Sequence, residues 1–385
     1  MAAAPAGLRP PNKRVMLRPG HTRLDDAPIA QQYKDKLKKL GYVSLEQVVS
    51  VAEMTSCRKH LPVAGERSVR TQLSQYLGAD ISTVLSAVPE QIKAPQLSLR
   101  VRTAEYHYGA RLRQPVKAVI PRLDLPAAQP IPAVSMAAAP QPSPLGSTPD
   151  VNFAPQMPAI RDQGNRGTCV AHAAVAAMEY YLIATNQAPQ TTVDLSEQFL
   201  FWDSKQHDGI PDQDGTYLSI AVPLLFSDGC CLESIWPYNP NPDPNNIGQG
   251  PPPAGAQADA ATRKAPGTKQ LSPQSVQDIK TELSQGRCVA VSVVVYDYCW
   301  TTQEIRNSGE VTMPIPGDTS NEGHAICLVG YEDLSGEDEL GGGRFIVRNS
   351  WDSYWGVNCE YGTGYGTLPY AYLTNYGTEA YAVEW

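Results

Sequence analysis

The feature that most constrains this chain is a segment rich in proline and alanine at 121–150, PRLDLPAAQPIPAVSMAAAPQPSPLGSTPD. Such a segment has too few large apolar side chains and too many prolines to pack a core, so we predict that it is an extended linker. The linker divides the chain into a front part and a longer back part. We place a domain boundary near residue 150 and expect a folded domain at 150–385.

The back part begins with helical patterns and ends with strand patterns. A Pro-, Gly- and Asn-rich stretch at 237–267 lies between them and is expected to be a surface insertion. The order predicts an α+β fold, in which a helical lobe and a strand lobe meet with a cleft between them. One predicted helix begins at Cys169, and three others lie at 194–205, 216–229 and 272–286. The apolar runs that predict strands are 288–296, 324–331 and 344–349.

The front part divides into three segments. Residues 1–27 lack periodicity and are expected to form a flexible arm. Residues 28–94 contain two similar helix-turn-helix patterns, and Ser44 with Gln47 fits a capping box at the second helix of the first pattern. We predict a small helical hairpin module there, followed at 95–149 by a strand segment and the linker, which together form a possible propeptide.

Charge is distributed unevenly along the chain. The residues before Pro126 carry 20 Lys and Arg against 10 Asp and Glu, whereas the residues from Pro126 onward carry 11 against 29. This split is consistent with two separately solvated surfaces, with docking of the basic region on the acidic domain, or with a basic face for nucleic acid or membrane. The glycine-hydrophobe-glycine turn usual in DNA-binding hairpins is absent, so we expect no nucleic-acid partner.

Apolar runs and cysteine spacing limit the class of protein further. No run of 18 apolar residues occurs and the start has no apolar signal core, so we expect no membrane span and no ordinary secretory signal. The localisation stays open between the cytoplasm and a non-classical export route. The eight cysteines form no C-x-x-C pair, so we expect no metal. Four cysteines could support disulfides, namely Cys230, Cys231, Cys299 and Cys359.

One cysteine stands where a nucleophile would be activated. In RDQGNRGTCVAHAA, Cys169 follows a glycine-broken loop and begins a helical pattern. A helix N-terminus lowers the pKa of a thiol, because unpaired N–H groups and the helix dipole favour the thiolate. Gln163, held by the glycines at 164 and 167, could donate a hydrogen bond to an oxyanion together with the backbone N–H of Cys169.

A general base is also required, and two histidines compete for the role. His172 lies three residues after Cys169, but a helical histidine among alanines is more often a packing residue. His324 begins an apolar strand in NEGHAICLVGY, which would fix its side chain at a lobe edge. Asn349 follows another strand in GGGRFIVRNSW, where its amide could orient the imidazole while Trp351 shields the bond from water.

These motifs resemble the papain/cathepsin family of cysteine peptidases. DQGNRGTC, LSEQ, GHAICLVGY and RNSWDSYWG stand in the family's order over residues 152–385. The resemblance implies a papain-like two-lobe catalytic domain. It further implies that Cys169 is the nucleophile, His324 the base and later the acid, Asn349 the orienting residue and Gln163 the oxyanion donor. Cofactors are not part of this chemistry, and none is expected.

The same resemblance implies a set of substrate-binding residues and some departures. The cysteine that the family places three residues before the nucleophile is Arg166, its partner in the glycine loop is missing, and His172 is also atypical. The chain is most similar to bacterial-type members, and its N-terminal region does not match the cathepsin propeptide. The implied substrate-binding residues are Gly215, Thr216, Tyr217, Glu322, Gly323, Ala325 and Trp351.

The sequence thus predicts a thiol-dependent peptide-bond hydrolase. We expect it to be made in a latent form, in which the basic N-terminal region docks on the acidic catalytic domain and an extended chain covers the cleft. Its partner would be a peptide or protein substrate. Two alternatives stay open, namely a catalytically inactive papain-like binding or scaffold protein, and a transpeptidase that uses the same Cys-His-Asn site.

Overall fold

A computed structural model describes residues 21–54, 68–89, 92, 107–112, 116–117, 150–334 and 340–385. The predicted flexible arm falls outside these residues up to position 20, and the Pro/Ala-rich linker falls outside them up to position 149. Within the region at 95–149, where a strand segment was predicted before the linker, the structure describes 107–112 and a two-residue strand, Val116–Lys117, which pairs with Thr319–Ser320.

The N-terminal region is helical, as predicted. At the start of its second helix, the Ser44 side chain accepts from the Gln47 N–H while the Gln47 side chain accepts from the Ser44 N–H, so the predicted capping box is present. Asp80 caps a later helix by accepting from Ser82 N–H. The helices are α1 (Gln31–Lys39), α2 (Leu45–Glu53), α3 (Val69–Leu77) and α4 (Ile81–Val84).

The helical lobe is built around one long helix, α5 (Cys169–Ala184), which is buried on almost every side. Its many alanines let neighbouring backbones approach closely, and α6 (Glu197–His207) and α7 (Leu218–Ser227) pack on it. Cys230 and Cys231 follow as two buried thiols, so the suggestion that they support disulfides was wrong. The remaining helices are α8 (Ala256–Ala260), α9 (Val276–Ser284), α10 (Asp297–Trp300), α11 (Gln303–Ser308) and α12 (Tyr370–Tyr376).

The strand lobe is a seven-stranded antiparallel sheet with the order β3-β9-β4-β6-β7-β8, and β2 pairs with β6. β4 and β7 are buried at every residue, including Ser292 in β4 and two arginines, Arg344 and Arg348, in β7. In chain order the strands are β1 (Val116–Lys117), β2 (Val151–Asn152), β3 (Gly267–Leu271), β4 (Val289–Val295), β5 (Thr319–Ser320), β6 (Glu322–Asp333), β7 (Gly343–Arg348), β8 (Tyr365–Pro369) and β9 (Gly377–Glu384).

The two lobes meet where α5 packs against β6 and β4. The first residue of α5, Cys169, therefore lies beside the first residues of β6, which include His324. The N-terminal helices share a hydrophobic core with the strand lobe, and Met313 N–H donates to the Leu40 carbonyl at 2.9 Å. No helix within the described ranges is long and apolar enough to cross a bilayer.

Candidate active site

Cys169 is the first residue of α5 and is completely buried. Its Sγ accepts a hydrogen bond from the backbone N–H of Ala325, at 3.3 Å, which places the thiol against the start of β6. Burial raises the pKa of the thiol to about 11, although backbone N–H groups of Ala325, Gly109 and Ala110 act in the opposite direction. The helix N-terminus alone would favour the thiolate, so the covering of the site decides the protonation state.

His324 and Asn349 form a direct hydrogen bond. His324 Nε2 lies 2.8 Å from Asn349 Oδ1, and the same oxygen accepts from Ser350 N–H at 2.8 Å. Because Oδ1 is an acceptor, Nε2 carries the proton and Nδ1 of the neutral ring has a free lone pair. Nδ1 is buried without a hydrogen-bond partner among the described residues, and burial lowers the pKa of His324 to about 4.

Aromatic rings enclose the imidazole. Trp351 stacks on His324 with ring centroids 4.5 Å apart and an interplanar angle of 21°. Trp300 approaches the imidazole edge-on at 5.8 Å. Both indoles are completely buried, so the His324–Asn349 bond is shielded from water.

Gln163 lies on the other side of the cleft and is fixed at both ends of its amide. Its Oε1 accepts from Ser350 Oγ at 2.6 Å, which leaves the Nε2 protons to donate to the His107 carbonyl at 2.8 Å and the Arg166 carbonyl at 2.9 Å. Ser350 thus links Gln163 to Asn349. Sequence reasoning missed Ser350, although its position between Asn349 and Trp351 was a usable signal.

Residues 107–112 lie across the cleft. Thr216 N–H donates to the Gly109 carbonyl at 2.9 Å, and Arg111 N–H donates back to the Thr216 carbonyl at 2.9 Å. On the opposite wall, Ala110 N–H donates to the Gly323 carbonyl at 3.0 Å. The segment therefore uses backbone hydrogen bonds to both walls of the cleft.

Several proposed substrate-binding residues contact this segment or the thiol. Gly215 approaches the Gly109 carbonyl, and Trp351 lies edge-on to Tyr108 at 5.9 Å. Tyr217 and Glu322 are half-buried nearby, at the start of α7 and of β6 respectively. The structure thus brings Gly215, Thr216, Gly323, Ala325 and Trp351 directly to the cleft.

Tyr108 anchors one end of the segment. Its hydroxyl donates to Asp297 Oδ1 at 2.7 Å, and its ring lies edge-on to His324 at 5.9 Å. The pKa of Tyr108 is raised well above its ordinary value by burial and by the negative charge of Asp297. No local pattern in the sequence connects Tyr108 with Asp297, because the pair is 189 residues apart in the chain.

Arg166 occupies the position where the resembled family has a disulfide cysteine. Its guanidinium is buried and donates to Gln198 Oε1 at 2.7 Å, to the Asn239 carbonyl at 2.8 Å and to the Ile247 carbonyl at 3.2 Å. It also lies over the Tyr238 ring at 5.2 Å. Arg166 therefore connects the loop before Cys169 to α6 and to the Pro-rich insertion.

His172 lies one turn into α5, with Nδ1 3.0 Å from the Thr168 carbonyl. Tyr238 packs edge-on against its ring at 4.9 Å. The Tyr238 hydroxyl donates to the Gln163 carbonyl at 2.7 Å and lies 2.6 Å from Thr168 Oγ1. Tyr238 lies in the Pro-rich insertion, where no local sequence pattern marks it, and its hydroxyl supports the loop before Cys169.

These groups are of the types that thiol-based acyl transfer uses. The thiol stands at a helix N-terminus, the imidazole has a free nitrogen and an orienting amide, and Gln163 supplies a fixed N–H donor. This is the combination that nucleophilic catalysis at a carbonyl needs.

The comparisons with known proteins point in the same direction. The sequence model of the family described as "Papain family cysteine protease" matches residues 149–368. An uncharacterized peptidase C1-like protein of Acanthamoeba polyphaga mimivirus is 28% identical over 229 residues, which are 57% of this chain and 67% of that protein. Cysteine proteinase 1 of Entamoeba histolytica is 27% identical over 199 residues, 51% of this chain and 56% of that protein. The match thus spans little more than half of the amoebal protein.

Among solved structures, xylellain, a cysteine protease from Xylella fastidiosa, superposes with a TM-score of 0.52 at 25% identity. The superposition covers 62% of this chain and 86% of xylellain. The predicted α+β, papain-like architecture behind an N-terminal helical region is therefore confirmed.

Proposed function

The chain belongs to the papain family of cysteine proteases, and from this premise we propose that it hydrolyses peptide bonds with Cys169 as its nucleophile. In the proposed reaction His324 takes the thiol proton and the thiolate attacks the substrate carbonyl. Gln163 Nε2 and the backbone N–H of Cys169 stabilise the oxyanion. His324 then protonates the leaving amine, and a water molecule activated by the same imidazole hydrolyses the thioester.

The observation that carries this proposal is the hydrogen bond between His324 Nε2 and Asn349 Oδ1, at 2.8 Å. It leaves Nδ1 as the basic nitrogen, on a residue whose neighbour Ala325 already contacts Cys169 Sγ. Asn349 has the geometry of an orienting residue, and the stacked Trp351 protects the bond.

We further propose that the full chain is latent because residues 107–112 occupy the cleft. Backbone N–H groups of Gly109 and Ala110 lie close enough to the thiol to act on its pKa, and the His107 carbonyl accepts from the Gln163 donor that an oxyanion would need. While these contacts persist, Cys169 and His324 are both buried and neutral. A substrate could reach neither the nucleophile nor the oxyanion donor.

The direction of the segment supports latency rather than rapid self-cleavage. Since His324 protonates the leaving amine, a productive substrate must place the residues C-terminal to the cleaved bond beside His324. Residues 107–112 run the other way, because Tyr108 packs on His324 while Arg111, later in the chain, pairs with Thr216. The segment is therefore reversed relative to a productive substrate.

Docking of the N-terminal helices on the strand lobe is part of the same proposal. Glu304 N–H donates to Ser50 Oγ at 3.2 Å, and Gln47 Nε2 donates to Glu310 Oε2 at 3.3 Å. Leu40, Tyr42 and their neighbours share the hydrophobic core of that lobe. The helices would thus hold the cleft segment near its site while the chain remains intact.

The test compares the full chain with a chain beginning at residue 149, each with and without Cys169→Ala. We expect the shorter chain to hydrolyse a fluorogenic peptide faster, and Cys169→Ala to abolish hydrolysis in both. In the full-length chain, once its linker has been cut, alkylation followed by mass mapping should label Cys169 faster than Cys57. Equal hydrolysis by both lengths would refute latency, and hydrolysis that survives Cys169→Ala would refute the enzyme proposal.

A further inference from the structure

A small cavity lies behind the His324–Asn349 pair, between α5 and β6. The volume of the cavity is about 10 Å³, which is room for about one water molecule. Both His172 and Asn349 line it, so the cavity connects the helix of the nucleophile with the residue that orients the base.

Two of the residues that line this cavity each have a buried polar atom without a hydrogen-bond partner among the described residues. These atoms are Nε2 of His172 and Nδ2 of Asn349. His172 is 5% exposed and Asn349 4% exposed, so bulk water does not satisfy them. An unpaired buried polar group is costly, and a buried water with two or more partners is the usual remedy.

The chemistry of the two atoms is complementary. His172 Nδ1 faces the Thr168 carbonyl, which can only accept, so Nδ1 carries the proton. Burial lowers the pKa of His172 to about 4, which keeps the ring neutral and leaves Nε2 as an acceptor. Asn349 Nδ2 is a donor, because Oδ1 of the same amide accepts from His324 and from Ser350 N–H. A water can accept from one atom and donate to the other.

We propose that one ordered water in this cavity accepts from Asn349 Nδ2 and donates to His172 Nε2, which makes His172 a positioning residue for Asn349. The functional part of this inference rests on the proposed peptidase activity, whereas the water site itself does not. The water completes a chain of hydrogen bonds from His324 through Asn349 and His172 to the Thr168 carbonyl. Thr168 directly precedes Cys169, so the chain connects the base to the start of the nucleophile's helix.

Most of the charged groups that line the cavity make hydrogen bonds or ion pairs of their own. Arg348 donates to the Pro158 and Ala159 carbonyls at 2.6 Å each, and Glu179 Oε1 accepts from Leu195 N–H at 3.0 Å. Arg161 pairs with Asp194, and burial raises the pKa of Glu197, although its own backbone N–H acts in the opposite direction. Asp162 and Arg166 also act electrostatically on His172. Among the buried polar atoms that have no hydrogen-bond partner within the described part of the chain, only His172 Nε2 and Asn349 Nδ2 belong to residues that line this cavity.

A high-resolution crystal structure of the full chain tests the site directly. We expect one water within hydrogen-bonding distance of both His172 Nε2 and Asn349 Nδ2. An empty cavity, or protein partners for both atoms, would overturn the proposal. This result does not depend on activity.

Two substitutions of His172 test its positioning role. Asn can donate to the Thr168 carbonyl from the place of Nδ1 but does not reach the cavity, whereas Gln can place an amide oxygen near Nε2. The readout is the pH profile of Cys169 alkylation by iodoacetamide in the full chain, with thermal stability measured alongside. We expect His172→Asn to slow alkylation about tenfold, as for loss of one buried hydrogen bond, and His172→Gln to stay within about twofold of the wild type.

The pH profile separates positioning from packing. A loosened Asn349 holds the His324 imidazole less firmly beside the thiol, so the thiolate is less favoured and the rise of the alkylation rate with pH should move to higher pH in His172→Asn. Equal rates and unmoved profiles for the two variants would show that His172 only packs, and would overturn the proposal. Failure of the proposed function would be distinct, because the water and the difference in alkylation would remain while no peptide was hydrolysed.

Discussion

Gly109 lies so close to Gly167 that a Cβ on Gly109 would stand 1.8 Å from the Gly167 carbonyl oxygen. No Cβ approaches an atom so closely, and the obstacle is backbone that cannot rotate away. The cleft segment can therefore pass the loop before Cys169 only with glycine at this position. The covered arrangement of the site therefore requires a residue without a Cβ at position 109.

Substitution Gly109→Ala should therefore open the cleft in the full chain. The added methyl group clashes in the covered state only, so it should shift the equilibrium toward the open state by about tenfold or more. We expect faster alkylation of Cys169 at neutral pH and faster hydrolysis of a fluorogenic peptide. The matched control is Gly267→Ala, where the nearest atoms would lie 3.6 Å away, an ordinary contact. A Gly109→Ala chain as unreactive as the wild type would contradict the covering role of residues 107–112.

The reactivity of Cys169 should respond to pH differently in the covered and open states. In the covered state burial raises the pKa of the thiol to about 11, so the thiolate fraction is very small at pH 7 and grows as pH rises. Once the segment leaves, water returns, and the N-terminus of α5 and His324 favour the thiolate. We expect the alkylation rate of the full chain to rise steeply between pH 7 and pH 10, and that of Gly109→Ala to be nearly flat there.

The measurement is the iodoacetamide labelling rate of Cys169, followed by mass spectrometry across this pH range. Cys288, a buried thiol at the start of β4, serves as the internal control because it should stay unlabelled in both chains. Parallel profiles for wild type and Gly109→Ala would show that residues 107–112 do not control the ionisation of Cys169.

The sequence predicted what depends on local pattern. The strand runs placed His324 at the start of β6 and Asn349 just after β7, and antiparallel pairing of β6 with β7 brings the two residues together. The helix start at Cys169 was equally local. The contacts of Tyr108 and Tyr238 could not be predicted, because each depends on partners brought together only by the tertiary fold.

The protonation state of the site could not be predicted from local pattern either. The sequence indicates an activated thiol, because a helix N-terminus lowers a thiol pKa, but burial under residues 107–112 has the larger effect. The role of Arg166 was hidden for a similar reason. The arginine at position 166 shows in the sequence that the family's disulfide is missing. Only the fold shows that hydrogen bonds from its guanidinium hold the loop before Cys169 instead.

Arg166 should contribute strongly to stability. Arg166→Ala removes hydrogen bonds to three acceptors and the contact with the Tyr238 ring, and it leaves the buried Gln198 Oε1 without this donor. We expect a loss of about 3 kcal/mol in the free energy of unfolding, measured by chemical denaturation of the full chain. The control is Arg263→Ala, which breaks a partly exposed pair with Asp259 and should cost about 1 kcal/mol or less. Similar losses for the two variants would contradict a special role for Arg166.

Two buried carboxyl groups should make the chain more stable in mild acid. Burial raises the pKa of Glu179, with a further contribution from the negative charge of Glu197, and burial likewise raises the pKa of Glu197. In the unfolded chain a glutamate titrates near about 4.3. Folding therefore favours the protonated forms, so the stability they contribute is complete below that value and is lost as pH rises through the higher folded pKa values.

The expected result is a free energy of unfolding that falls between about pH 5 and pH 8 in the wild type and falls less in Glu179→Gln. Glutamine preserves the oxygen that accepts from Leu195 N–H and cannot ionise, so it removes the penalty without removing the hydrogen bond. Denaturant unfolding of the full chain at several pH values measures the slope, and exposed Asp212, replaced by Asn, is the control that should leave it unchanged. If Glu179→Gln and Asp212→Asn have the same slope as the wild type, then Glu179 is not protonated on folding, and its burial must be balanced by Arg161 and Arg348 instead.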